Sequence, residues 1–269
     1  MNETITMHGL NVRVTRPIGG SRPPVLLIHG MFGGAWYWEP YQRFFGTRGF
    51  TTYAIDLRGH HGSRAVADIG KVSVRDYVAD ALAVAATLGR PIVIGHSMGG
   101  IIAQRLAEEN AVIAAVLLCA DPPRWITPLS IGLLTRMVRY LPELLLAKPL
   151  FPTRADADFL MYNRVPVEER ASQYAQLVPE SGRAGFEMSV GTIAVDASRV
   201  RCPVLSITAE DDQFLVPRVG RAIARKYHAR SMTFAGHGHS IMSEPGWEKP
   251  AADIAGWLEE VLALDESAA

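Results

Sequence analysis

The chain has 269 residues, 48% of them hydrophobic and 20% charged, with 27 basic side chains against 27 acidic ones and a net charge of zero. That length and apolar content predict one large α/β core and exclude a disordered chain. The balanced charge offers no basic face, so the expected partner is a small-molecule substrate, with no nucleic acid and no membrane.

The start, Met1 to Val14, is polar and alternating without a signal-like pattern. The longest apolar run, Ala111 to Ala120, is too short to span a bilayer. A cytoplasmic protein, monomeric or homodimeric, is the expectation. Cys119 and Cys202 read as buried thiols, and no cofactor or metal is called for.

In chain order, Glu3 to Met7 and Leu10 to Thr15 alternate around His8-Gly9 and predict an N-terminal hairpin. A loop over Gly19-Gly20-Ser21-Arg22-Pro23-Pro24 leads to Val25–Ile28, a short run of the kind buried in a parallel sheet. His29-Gly30-Met31-Phe32-Gly33-Gly34 follows, just before a helix over about Tyr37–Arg48. Such a turn can aim a backbone N–H at developing negative charge, and Met31 is the predicted donor. His29 reads as a residue that braces the loop.

Thr51–Ile55 predicts the next strand, and Asp56-Leu57-Arg58-Gly59-His60-His61 a polar turn anchored by Asp56 with Arg58, or by Arg58 with backbone. The adjacent histidines have no further ligand at metal-binding spacing. Ser73 with Asp76 forms a capping box for a helix that Gly89 ends.

Next, Ile92–Ile94 reads as a buried strand, Gly95-His96-Ser97-Met98-Gly99 as a sharp turn and Ile101–Asn110 as a helix. A serine between two glycines at a strand-to-helix turn is the pattern of a nucleophile elbow. The turn would expose the Ser97 hydroxyl, and the Met98 amide would be the second donor facing an oxyanion.

After a strand at Val112–Ala120 the alternation stops. Short helical patterns at Leu129–Tyr140, Pro142–Ala147, Asp156–Asn163, Val167–Val178 and Arg183–Val190 are split by prolines and carry no strand signal. They predict a helical cap over 124–196 inserted into a core of 1–123 and 197–269. Phe32, His61, Met137, Phe159 and Met161 are the expected pocket residues.

The core resumes at Val204–Thr208 with the acidic turn Ala209-Glu210-Asp211-Asp212. A helix over Pro217–Tyr227, a strand at Ser231–Phe234, the loop Gly236-His237-Gly238-His239 and a helix over Trp247–Leu264 follow. Strands alternating with helices predict a doubly wound, mostly parallel sheet, whose ligands bind beyond the carboxyl ends of the strands. A serine nucleophile needs an imidazole base, and the imidazole a carboxylate; the chain supplies them in the order Ser, Asp, His.

With His29-Gly30, Asp56-Leu57-Arg58-Gly59-His60, Gly95-His96-Ser97-Met98-Gly99-Gly100, the acidic turn and Gly236-His237-Gly238-His239, the whole chain resembles the α/β-hydrolase superfamily. It looks like its capped serine-hydrolase branch of esterases, lysophospholipase-like enzymes and carbon-carbon bond hydrolases. The resemblance implies Ser97 as nucleophile, His239 as general base and acid, and Asp212 as orienting carboxylate. Asp211, Glu210 and Asp121 stay open as alternative acids, and His237 as an alternative base. It implies hydrolysis of an ester or thioester, with a carbon-carbon-cleaving or non-hydrolytic relative and a ligand-binding protein as alternatives.

Overall fold

The computed structural model describes residues 2–17, 19, 22–128 and 130–266. Met1, the expected loop positions Gly20 and Ser21, and the expected helix start Leu129 lie outside the described residues.

Strands β1 (Asn2–Met7) and β2 (Leu10–Thr15) pair antiparallel. His8 and Gly9, at φ 51° and 78°, make the two-residue turn between them, the left-handed pair that matches strand twist. The other strands of this sheet are β3 (Val25–Ile28), β4 (Thr52–Ile55), β5 (Ile92–His96), β6 (Ala114–Leu118), β9 (Val204–Ala209) and β10 (Arg230–Phe234). Two short strands inside the insertion, β7 (Pro149–Leu150) and β8 (Glu180–Ser181), pair separately. The main sheet has eight strands in the order β1-β2-β4-β3-β5-β6-β9-β10. Beyond the antiparallel hairpin and its junction with β4, every pairing is parallel. The fold is an α/β, doubly wound, mostly parallel sheet.

Period-2 side-chain alternation divides each buried strand between two apolar layers. Leu26, Ile28, Val93 and Leu117 face helices α2 (Val74–Thr87), α3 (Met98–Glu108) and α9 (Pro217–Tyr227). Val25, Leu27, Ile94 and Val116 face α1 (Glu39–Gly46) and α10 (Glu248–Glu266). A continuous apolar run thus reads as a strand covered on both faces. The Ser73–Asp76 capping box that starts α2 is present in both directions. Among the described residues, no helix is long and apolar enough to cross a membrane.

The packing between β3, β5 and α3 leaves no room for side chains at two turn glycines. A Cβ on Gly99 would stand 2.1 Å from the Ile28 carbonyl oxygen, and one on Gly95 2.1 Å from the Gly99 carbonyl oxygen. Both obstacles are backbone. Gly99→Ala should therefore lower stability by about 3 kcal/mol, the upper end of the cost of forced overpacking, read as a fall in the urea midpoint at unchanged slope.

Between β6 and β9 lie helices α4 (Ile131–Met137), α5 (Leu141–Leu145), α6 (Arg154–Leu160), α7 (Val167–Tyr174) and α8 (Gly182–Ser189), with a 3-10 turn at Val138–Tyr140. The expected strand-free insertion is corrected by the β7–β8 ladder, whose two-residue strands are too short to leave a periodic signal. The insertion is tied to the core by the Val178 N–H on the Phe32 carbonyl (2.9 Å) and the Tyr37–Tyr162 hydroxyl contact (2.9 Å).

A buried charged cluster also crosses this boundary. His60 Nε2 lies 3.0 Å from Glu180 Oε2, and Tyr77 donates to Glu180 Oε1 at 2.5 Å. Burial opposes both charges, but the pairing prevails and holds His60 above and Glu180 below their ordinary values.

The expected Asp56–Arg58 anchor takes another form. Arg58 turns toward α2 and grips Asp80 with two bonds of 2.6 and 2.7 Å, while Asp56 accepts from Asn11 and from the Ala35 N–H. Cys202 is only partly buried, whereas Cys119 is fully enclosed.

Candidate active site

Ser97 occupies the turn between β5 and α3 at φ 53°, ψ −119°, a left-handed conformation costly for a residue with a Cβ. Backbone bonds on both sides enforce it. Its N–H donates to the Leu118 carbonyl (3.1 Å), and its carbonyl accepts from Gly100 (2.8 Å) and Asp121 (3.0 Å). Removal of that cradle would release the strain, so the surrounding strand ends fix where the hydroxyl points.

The loop after β3 crosses directly over this serine. A Cβ on Gly30 would lie 2.8 Å from the Ser97 Cβ, so only glycine allows so close an approach. His29 braces the loop: its Nδ1 donates to the Gly30 carbonyl at 2.7 Å and its Nε2 accepts from Leu57 N–H at 3.1 Å. That arrangement requires a neutral ring, and burial, aided by neighbouring His60, pushes its pKa down to about 4. Met31 thereby sits beside Ser97, and Met98, the first residue of α3, carries one of the amides that a helix start leaves without an internal partner.

His239, on the loop after β10, is buried and donates from Nδ1 to Asp212 Oδ2 at 2.8 Å. This fixes the tautomer and leaves Nε2 for the pocket that Ser97 also lines. The other Asp212 oxygen accepts from the Phe214 and Leu215 N–H groups, each at 2.8 Å, so the carboxylate is held at both ends. Burial would lower the His239 pKa, but Asp212's charge and hydrogen bond, with Asp121 and Glu244 further away, raise it above 6.5.

Two supports were not foreseen as such. Phe214 stacks on the His239 ring at 5.0 Å and 19°, and His96 Nε2 donates to the His239 carbonyl at 2.8 Å. Burial, then repulsion from His239, holds His96 well below the usual histidine range, as a neutral donor requires. His96 lay inside the recognised turn motif, but nothing in sequence linked it to a residue 143 positions later.

The alternative acids separate by position. Glu210 is exposed, and Asp211 pairs with Arg164 at 2.6 Å on the rim. Asp121 is buried just after β6, where its N–H donates to the Ser97 carbonyl; burial raises its pKa to about 6 against the pull of His239. The other candidate base, His237, packs edge-on to Phe234 near Glu244 and does not line the Ser97 pocket.

A carboxyl whose pKa is higher folded than unfolded contributes stability below its unfolded value of 3.8 that is lost as pH rises through about 6. Asp121→Asn should therefore be more stable than the parent at pH 8, by up to roughly 3 kcal/mol, with the gap closing toward pH 4. Denaturant melts at the two pH values measure it, and an equal gap at both would contradict it.

Gly30, Met31, Phe32, Tyr37, Ser97, Met161, Phe214 and His239 enclose a small pocket. Met31, Phe32, Met161 and Phe214 are shared with a larger space of about 700 Å³, open solvent at its mouth included. Its walls are mostly apolar and include Leu133, Met137, Leu160 and Met188 of the insertion, with Asp121 at the Ser97 end. Of the expected pocket residues, Phe32, Met137 and Met161 line this space.

His61 and Phe159 do not. His61 lies against Gly34 on the outer side of its loop, and Phe159 is covered by the Arg136 guanidinium 3.5 Å from its ring centre. The double histidine is likewise accounted for without metal, since His60 spends its nitrogens on the Arg58 carbonyl and Glu180.

A parallel sheet with a strained serine turn after one strand and a histidine-carboxylate pair beyond two others defines a class of enzyme fold. Residues 25–255 match the alpha/beta hydrolase family, and the chain belongs to it. It is 40% identical over 110 residues to a non-heme haloperoxidase of Rhodococcus erythropolis, a stretch covering 39% of each protein. The chain spans 37 to 39% of the length of three such curated relatives. Among solved structures, the monoacylglycerol lipase of Paleococcus ferrophilus superposes with a TM-score of 0.75 at 22% identity, over 94% of this chain and 99% of that one. A thermophilic esterase from Thermogutta terrifontis gives 0.71 at 19% identity, over 97% and 99%.

Proposed function

We propose that the protein is a serine hydrolase that cleaves an ester or thioester of a small, largely apolar substrate through an acyl-enzyme intermediate. The observation that carries this reading is the 2.8 Å bond from His239 Nδ1 to Asp212, on a ring that lines one pocket with the strained Ser97. In it, Nε2 of His239 takes the Ser97 proton as the hydroxyl oxygen attacks the acyl carbon, and the imidazolium formed is stabilised by Asp212. The Met31 and Met98 amides hold the oxyanion. His239 then gives its proton to the leaving group, and water, activated by the same ring, releases the acid.

The insertion 124–196 acts as the cap that closes the apolar space over Ser97, and so sets substrate choice. The lipase and esterase names of the structural neighbours support ester chemistry. A chamber of this lining stabilises each added methylene by about 0.8 kcal/mol, so kcat/KM for p-nitrophenyl esters should rise about three- to fourfold per carbon until the space is full. Absence of turnover across acetate to octanoate would reject the reading. A flat profile would reject the apolar acyl site while leaving hydrolysis standing.

A further inference from the structure

The insertion carries a second apolar surface, on its outside, that the proposed chemistry does not use. Ile131, Leu134, Val138, Leu141 and Leu145 recur at three- and four-residue spacing along α4, the 3-10 turn and α5, and all are exposed, Ile131 at 85% and Leu145 at 65%. The opposite side of the same run, through Leu133, Met137 and Tyr140, lines the chamber. A helix apolar on both faces is expected to be covered on both, and this one is covered on one.

The stripe adjoins the chamber's surroundings. Trp125, 86% exposed, lies in a surface groove whose Pro128 and Ser189 also line the chamber. Charge distinguishes the possible occupants. Segment 124–151 holds Arg124, Arg136, Arg139 and Lys148 against the single carboxylate Glu143; Arg136 and Arg139 share the buried Asp156, while Arg124 and Lys148 are exposed. A twofold contact of this face with a second copy would set these cations against a surface of the same sign. Anionic headgroups would meet them with opposite charge, while an exposed tryptophan and an aliphatic stripe suit the boundary between headgroups and acyl chains.

We propose that the outer face of residues 131–145, with Trp125, docks the protein on an anionic lipid surface and turns the chamber toward it. The balanced net charge hides this surface, because it averages the exposed Arg124 and Lys148 with acids spread over the rest of the chain. The docking stands on these exposed residues and not on the hydrolase reading.

The test is flotation of the full-length protein with vesicles of phosphatidylcholine alone or mixed with phosphatidylglycerol. The parent should float with the mixed vesicles and less with the neutral ones, and Ile131→Glu with Leu145→Glu should lower the bound fraction about tenfold or more. Both positions are exposed, so the urea midpoint and turnover of a soluble short-chain ester should be unchanged. A parent that stays in the aqueous fraction, or a variant that floats equally well, overturns the proposal. So does a parent dimer in sedimentation that the variant splits, which would assign the stripe to a second copy. A parent that floats yet hydrolyses no ester would reject the hydrolase reading and leave the docking surface in place.

Discussion

Ser97→Ala and His239→Ala should each lower kcat for an ester substrate by about 10⁵-fold or more, and the double variant should be scarcely worse than either. In the proposed mechanism the two side chains act on one proton: without the ring the hydroxyl is a poor nucleophile, and without the hydroxyl the ring has nothing to activate. On the same mechanism, whatever survives in all three variants is the contribution of the backbone donors and of binding. Rates measured on pure variants with matched urea midpoints separate this from misfolding. Additive losses would mean that the residues work independently. The pH profile follows from the same geometry. In that mechanism the reacting form of His239 is neutral, and its pKa is raised above 6.5. In the parent, kcat/KM should therefore fall as pH drops through that raised value, with the acid limb displaced upward from a histidine's ordinary value.

Asp212→Asn should cost on the order of 10⁴ in kcat, whereas Asp121→Asn, Asp211→Asn and Glu210→Gln should stay within about tenfold. Asparagine at 212 can offer its amide N–H to the ring in place of an accepting oxygen, favouring the tautomer with its proton on the wrong nitrogen. Its pair of backbone donors, Phe214 and Leu215, holds the side chain in position, so the loss would report chemistry and not displacement. Asp121 differs in kind. It lies beside the serine and acts on His239 through charge, without the hydrogen bond that orients the ring. Removing its charge should shift the acid limb to lower pH, because one of the influences that raise His239 is gone. If Asp121→Asn is instead the crippled variant, the orienting role belongs to the β6 acid.

What could be read from sequence was local. The strand-turn-helix at Ser97 is written in adjacent residues, because an apolar run, two glycines and a helix start must follow one another for the backbone to turn so tightly. The acidic turn and His239 lie at strand ends for the same reason, and the structure brings Asp212 to His239 out of several carboxylates that spacing left open. What could not be read depended on distant partners. The His60–Glu180–Tyr77 cluster joins residues more than 100 positions apart, so Glu180 looks like any loop acid until the insertion folds down. Phe159 and His61 failed as pocket residues because hydrophobic or polar character does not say which way a side chain turns. The exposed stripe was hidden too: its spacing reads as a buried helix face, and only the fold shows which side is covered.

The central claim is that an acyl group is carried on the Ser97 hydroxyl, and a fluorophosphonate probe tests it directly, because phosphonylation needs the activated nucleophile together with its oxyanion donors. Intact-mass measurement should show one adduct per chain, peptide mapping should place it on the segment containing Ser97, and Ser97→Ala should abolish it. An unlabelled parent, or an adduct that persists in Ser97→Ala, would contradict the account.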